Sequence, residues 1–299
     1  MIRIGIDLGG SKIEGIAVDE AGVELVRHRV PTPKEGYEAV LGAVGQVVGH
    51  IEAGAGRVER VGIGTPGSIS PHDGVMQNCN TILLKGRSLR ADLEERLERR
   101  VRLANDADCF ALSEATDGAG QGFDSVFGVI LGTGTGGGFV FRGSLLEGPN
   151  AIAGEWGHNP LPWLKEAEFP GPLCTCGKRG CIETFLSGPG LSQAHLYATG
   201  QELEAVDIAA AAALGEAKAT ETMALYCDRL ARALAMLINI VDPGVIVLGG
   251  GVSNVDLLYE RVPQLLPSYV FATAVSTPLR KAVHGDSSGV RGAAWLWHA

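Results

Sequence analysis

Three thiols and one imidazole stand at spacings that suit a metal ion. They are Cys174-x-Cys176-x4-Cys181, with His158 sixteen residues upstream of the first cysteine. Thiolate and imidazole are the ligands of tetrahedral zinc, and four protein ligands leave no open coordination position, so such an ion would be structural rather than hydrolytic. Gly177 and Gly180 let the short loop fold around it. A disulfide or free core thiols are the bland alternatives, and a cytosolic composition disfavours the disulfide. Cys79, Cys109 and Cys227 have no partner at metal spacing and read as core. A second candidate is the pair Asn105-Asp106, placed where a strand runs into a helix. Both types are good N-caps, which is the simpler reading. The functional reading uses the same geometry, because a carboxylate at a helix N-terminus stays ionised and can accept a proton from an alcohol. The third candidate is a set of glycine turns: Gly9-Gly10-Ser11-Lys12, the run Gly132–Gly138, and Gly249-Gly250-Gly251. Turn amides of this kind bind anions, and Asp7 beside the first turn can face a phosphate-bound magnesium through water.

Neither of two familiar nucleotide motifs fits these turns. Gly5-x4-Gly10 is followed by Ser11-Lys12, the reverse of a P-loop, and Gly132-x-Gly134-x-x-Gly137 matches a dinucleotide fingerprint only literally. Both motifs need a helix next, and here a strand follows each.

The elements that must position these residues are legible in outline. Arg3–Leu8 is a strand that enters the first glycine turn, and Ile13–Val18 returns from it as a hairpin. Helical spacing of Val40, Leu41, Val44, Val47 and Val48 predicts a helix from Tyr37 to His50, and Leu89–Arg100 reads as a second. Val61–Gly64 and Val101–Ala104 read as strands, with a helix from Asp106 to about Glu114. Phe127–Leu131, the glycine run, and Phe139–Phe141 repeat the opening strand–turn–strand about 125 residues later, which predicts two related α/β halves. Residues 148–190 are loop-rich. A long helix follows, about Thr220–Val241, ended by Asp242-Pro243. Val245–Leu248 is a buried strand opening into the third glycine run, Ser253 or Asn254 could cap the next helix, and residues 285–299 read as a last amphipathic helix.

Composition narrows the class. The chain has 299 residues, enough for two domains with real cores. Its net charge of −9 argues against a broad nucleic-acid surface. There is no signal-like h-region at the start and no apolar run of membrane-spanning length, so the expectation is a cytoplasmic protein. Its 43 glycines are about twice the usual share and stand beside Val/Ile/Leu runs, which points to close backbone approaches rather than disorder.

These motifs carry a resemblance. Asp7 to Lys12, the Gly132–Gly138 run and Val247–Gly251 look like the phosphate-1, phosphate-2 and adenosine motifs of the sugar kinase/actin/Hsp70 ATPases. Cys174-Thr-Cys-Gly-Lys-Arg-Gly-Cys-Ile-Glu183 matches the ROK signature C-x-C-G-x2-G-C-x-E, and Glu155-x-Gly-His158 matches the family's E-x-G-H. Ser11 stands where threonine is commoner and keeps the hydroxyl. The resemblance covers essentially the whole chain. It implies two RNase H-like α/β domains with an interdomain cleft, 1–118 plus 285–299 forming the smaller and 119–284 the larger. It implies ATP, Mg2+ and a structural Zn2+ held by His158, Cys174, Cys176 and Cys181. Asp106 would be the catalytic base. Asn105, Asp106, Glu155, His158 and Glu183 would bind the sugar. Asp7, Gly9, Gly10, Ser11, Lys12, Thr133, Gly134, Thr135, Gly136, Gly137, Gly250 and Gly251 would bind the nucleotide. Gly64–Gly67, Asn78 and Asn80 would lie near the same cleft, and a homodimer is the family expectation.

The substrate expectation is finer. Gly157–Trp163 and His284–Trp297 resemble bacterial ROK fructokinases, so the reading is phosphorylation of D-fructose at its 6-hydroxyl, with mannose or glucose as side substrates. N-acetylglucosamine or N-acetylmannosamine kinase is the rival with the same catalytic set. A non-catalytic ROK sugar-binding regulator is the rival from another class, and a repressor of that family would need a DNA-binding segment ahead of residue 7.

Overall fold

The computed structural model describes residues 2–79 and 81–297. Two compact units emerge from its contacts. The first takes the chain up to Gln121, Gly138–Ala153, and the chain from Val283 onward; the second takes Gly122–Gly137 and Gly154–Ala282.

The first unit opens with β1 (Arg3–Leu8), β2 (Lys12–Val18) and β3 (Glu24–Pro31). Then come α1 (Tyr37–Ala55), β4 (Arg60–Thr65), a small hairpin of β5 (Ser68–Ile69) and β6 (Met76–Gln77), α2 (Leu89–Leu97), β7 (Arg100–Asn105) and α3 (Asp106–Asp117). Its main sheet runs β3-β2-β1-β4-β7, with β1 antiparallel to β2 and parallel to β4. One face carries Ile4, Ile6 and Leu8 and buries the apolar stripe of α1, Val40, Val44, Val47 and Ile51. The charged helix at Leu89 stops at Leu97, three residues short of its sequence-predicted end, because Glu98 turns left-handed and the chain enters β7 at Arg100.

The later elements are β8 (Ser125–Leu131), β9 (Thr135–Phe141), β10 (Ser144–Leu145), α4 (Glu183–Leu186), α5 (Gly188–Thr199), α6 (Ala205–Ala213), α7 (Ala217–Val241), β11 (Val245–Gly249), α8 (Leu257–Leu265), β12 (Leu279–Lys281) and α9 (Ser288–Trp295). The second sheet runs β10-β9-β8-β11-β12, the same hairpin-then-parallel order as the first. The echo read from the two strand–glycine–strand units is therefore a repeat of topology. Two local expectations change. The second glycine turn is only Gly132–Gly134, since Thr135 already begins β9. Ser253 and Asn254 lie inside a 3-10 turn, Gly251–Asn254, and the following helix starts at Leu257 after Asp256.

The returning helix α9 completes the first unit. It lies on the sheet face opposite α1. A Cβ at Gly5 would come within 2.3 Å of the Val290 carbonyl oxygen, and one at Gly62 within 1.8 Å of that of Ala293. On the helix side, a Cβ at Gly292 would stand 1.6 Å from the Cys109 carbonyl oxygen in α3. Glycine is needed here for helix-to-backbone contact, which is where much of the unusual glycine content goes. Residues 138–153 group with this unit, and Gly138 lies so close to α3 that a Cβ there would stand 2.8 Å from the Ala107 carbonyl oxygen. The sequence reading had placed that segment with 119–284.

Candidate active site

In the first unit, the candidate residues cluster at the carboxyl ends of β1 and β7. Asp7 is the penultimate residue of β1, and the chain turns through Gly9-Gly10-Ser11, where the Gly9 amide donates to the Lys12 carbonyl at 3.0 Å. The end of β3 props this turn from behind. Thr32 donates its hydroxyl to the Gly9 carbonyl at 2.7 Å and its amide to the Ser11 carbonyl at 3.0 Å. Gly10 and Ser11 remain exposed.

Asn105 and Asp106 divide the two roles that sequence reasoning weighed against each other. Asn105 is the N-cap of α3, its side chain accepting from the Ala107 amide at 2.9 Å. Asp106 is the first helical residue and accepts from the same amide at 2.8 Å. Burial pushes the Asp106 carboxyl above the usual carboxylate range, and the amide bonds and Asn105 only partly offset this. Asp7 is pushed up to about 6, by burial first and then by the charge of Asp106. Two carboxylates near one another, Asp7 half-buried and Asp106 open to solvent on one side, repel without a cation or a proton to share. Thr65 is committed elsewhere, its hydroxyl facing the carbonyls of Gly67 at 2.9 Å and Ala104 at 3.2 Å. Asn78 adopts a left-handed conformation, φ 50°, and Asn80 lies outside the described residues.

In the second unit, the cysteine loop and the second glycine turn share one side chain. Glu183 Oε2 accepts from the Thr135 amide at 3.0 Å, while its Oε1 lies 3.8 Å from Cys174 Sγ. A Cβ at Gly134 would meet Glu183 Oε2 at 2.7 Å. Trp156 donates Nε1–H to the Gly136 carbonyl at 2.8 Å, and Gly157 sits where a Cβ would strike the Thr135 carbonyl oxygen at 2.0 Å. The Glu155–His158 segment is thereby seated on the start of β9. Sequence reasoning gave Glu183 a role toward sugar and missed its hold on the glycine turn, since a bond across 48 residues has no local signal.

The four metal-type ligand atoms of His158, Cys174, Cys176 and Cys181 all lie within 4.8 Å of one another. Cys176 Sγ and Cys181 Sγ are 3.6 Å apart, and Cys174 Sγ is 3.5 Å from His158 Nδ1. A zinc–sulfur bond of about 2.3 Å in a tetrahedron puts ligand atoms about 3.8 Å apart, so the donor set and spacing fit such an ion. The separation is far too long for a disulfide, and all three thiols are free.

The other two glycine runs meet at one cavity of about 1010 Å³ in the second unit, lined among others by Gly132, Thr133, Gly188, Ala205, Gly251 and Asp256. Gly250 is left-handed, φ 82°, and packs within 2.5 Å (built Cβ) of the Leu131 carbonyl oxygen, so only glycine fits. The alanine-rich helix α6 supplies one wall through Ala205, Ala209, Ala212 and Ala213. Sequence reasoning did not mark this wall, because an alanine run signals a helix and nothing more.

Comparisons with known proteins identify the family. The ROK family profile matches residues 3–299, and the chain belongs to that family. The fold is that of its sugar kinases. A ROK hexokinase from Thermus thermophilus superposes with a TM-score of 0.88 at 35% identity, covering 99% of this chain and 97% of that one. A ROK glucokinase from Streptomyces griseus, solved with glucose and AMPPNP, gives 0.79 at 29% identity, covering 99% of both. Among curated relatives, the N-acetyl-D-glucosamine kinase of Vibrio parahaemolyticus is 43% identical over 296 residues, 98% of each chain.

The relatives overturn the fructose reading: curated proteins 41–43% identical over 98% of both chains are named N-acetyl-D-glucosamine kinases. The structure explains why the motif misled. Within Gly157–Trp163, Pro160 bridges to Cys181, the Leu161 amide bonds the Gly180 carbonyl, and Arg232 binds the carbonyls of Pro162 and Trp163. Pro160–Trp163 thus brace the cysteine loop, a packing role that does not distinguish one sugar from another.

Proposed function

We propose that the protein transfers the γ-phosphoryl group of ATP to the 6-hydroxyl of N-acetyl-D-glucosamine. The observation that carries the substrate is the 43% identity with a kinase of that name over 98% of both chains. Asp106 supports the chemistry. Its carboxylate takes the proton of the sugar hydroxyl as that oxygen bonds to the γ-phosphorus and the bond to the leaving ADP breaks. Asn105, Glu155, His158 and Glu183 orient the sugar through its hydroxyls. The amides of Gly10 and Ser11 in the first turn and of Thr133 and Gly134 in the second take phosphate oxygens, and the cavity beside Gly251 and α6 takes the adenosine. Magnesium, when bound, neutralises phosphate charge, and Asp7 is the carboxylate placed to face it. Zinc fits His158, Cys174, Cys176 and Cys181, where it would lock the segment carrying Glu155 to the loop carrying Glu183.

The test is ADP release from Mg-ATP with N-acetylglucosamine, N-acetylmannosamine, glucose and fructose, with Asp106→Ala as control. Highest kcat/KM on N-acetylglucosamine, a 6-phosphate product, and silence of Asp106→Ala are the expected results. A preference for any other sugar overturns the substrate, and turnover surviving in Asp106→Ala overturns the base. Metal analysis of chelator-free protein should find one zinc per chain.

A further inference from the structure

Glu14 is one of the buried carboxylates that the chemistry above does not use. Glu14 is 1% exposed, yet it lies on β2 two residues after the first glycine turn ends. Three cations converge on it: Lys12 Nζ at 3.2 Å, Arg27 Nη1 at 2.5 Å and Arg29 Nη2 at 2.8 Å. The strand register makes the arrangement sharper. Asp7 pairs with Glu14, and Glu14 pairs with Arg29, so the three side chains form one row on one face of β1, β2 and β3. Two carboxylates directly opposite on neighbouring strands repel. The row is tolerable only because of the cations.

Those cations are not fully spent. Arg27 is also held by Glu24 on its own strand, at 2.9 Å. Lys12 and Arg29 have no other ion-pair partner among the described residues, and Asp7, directly opposite Glu14, brings the group to three carboxylates against three cations. Arg29 is 54% and Lys12 35% exposed, so both heads reach solvent. The same end of β3 is bonded to Gly9 and Ser11 through Thr32, which fixes Arg29 relative to the turn amides. A flexible lysine and a guanidinium fork, pinned by a carboxylate beside the exposed residues Gly10 and Ser11, are suited to the oxygens of a polyphosphate.

We propose that Glu14 is a positioning residue for the nucleotide: it holds Lys12 and Arg29 at the glycine turn, and Arg29 is a further contact to the phosphates of ATP. This rests on the reading of Gly9–Lys12 as a phosphate turn.

Steady-state kinetics of the full chain test it, using Glu14→Gln, Glu14→Asp, Arg29→Met and Lys12→Met, with each KM measured separately. Glu14→Gln and Arg29→Met should each raise the KM for Mg-ATP about tenfold, the loss expected for one charge-assisted contact. The KM for the sugar should not move, and Glu14→Asp should recover most of the ATP affinity. A purely structural role would lower the melting temperature and the active fraction while leaving the KM for ATP alone, and that result overturns the proposal. Should Glu14→Gln not fold, Arg29→Met decides, because its side chain lies half in solvent. If Lys12→Met raises the KM for ATP and Arg29→Met and Glu14→Gln do not, the inference fails and the phosphate turn stands. If Lys12→Met also leaves it unchanged, the phosphate turn itself is wrong.

Discussion

Asp7 and Asp106 put function in opposition to stability. Asp7 ionises near 6 in the folded protein against 3.8 for the free side chain. Its stabilising protonated form is complete below 3.8 and is lost as pH rises through about 6, at a cost of about 3 kcal/mol for a shift of that size. Asp7→Asn should therefore raise the melting temperature of the nucleotide-free protein more at pH 7.5 than at pH 5, as calorimetry at both values would show. Asp106→Asn should lower kcat by roughly 10²–10⁴-fold, the usual contribution of a general base. Glu14 and Glu168 work in the other direction. Burial alone would raise both, but hydrogen bonds from Arg29, Arg27 and Lys12 to the first, and from Arg232 and Arg229 to the second, outweigh it and hold each near 2. Their contribution is present above 4.5 and is lost as pH falls toward 2. Activity should also fall on the acid side: kcat/KM for Mg-ATP needs ionised Asp7, so its profile should drop below about pH 6. A profile flat to pH 5 would remove Asp7 from the nucleotide site.

Among the elements, α3 is the platform of the site, and its packing is unforgiving. It is pressed by α9 at Gly292 and by β9 at Gly138. Gly292→Ala would force a methyl into the Cys109 carbonyl, so it should cost about 1–3 kcal/mol in denaturant unfolding and reduce turnover by shifting Asp106. Stability equal to the parent would mean that α9 can slide without disturbing α3. Elements with a strong local period were readable from sequence: the strand Arg3–Leu8 and the hairpin after it were placed to within a residue, and Asn105-Asp106 was put at the right junction. The extent of the second turn was not, because Thr135–Gly138 is strand only by virtue of its neighbours. Helix α5 hid behind Gly188-Pro189-Gly190, residues that read as loop but sit in its first turn, capped by Ser187 accepting from the Gly190 amide at 3.2 Å. The cysteine cluster was legible because its ligands lie close in sequence. The convergence of Lys12, Arg27 and Arg29 on Glu14 was not, since it depends on strand register.

For the molecule as a whole, the units are not contiguous pieces of chain. The first needs residues up to 121, then 138–153, then the stretch from 283. A fragment ending at Gln121 keeps α1 and the sheet but lacks α9, leaving Ile16 and Val18 without Val290 and Ala294. Such a fragment should lack a cooperative thermal transition by circular dichroism. A sharp transition like that of the full chain would show that α9 is dispensable. The buried carboxylate Glu114 marks the same dependence: it accepts from the amides of Ala119, Val283 and His284 and from the Ser288 hydroxyl, so three of these four donors come from the last stretch.

This threading has a consequence for birth on the ribosome. At about 5–20 residues per second, the first strands emerge well before the helix that covers them. The early sheet must wait through the synthesis of the whole second unit with one face bare, Gly5 and Gly62 offering flat backbone where α9 will lie. The second unit can close first, although it begins later. The order of folding therefore inverts the order of translation, and the interval in which the nascent sheet is exposed is set by the length of Gly122–Ala282 rather than by the sheet itself.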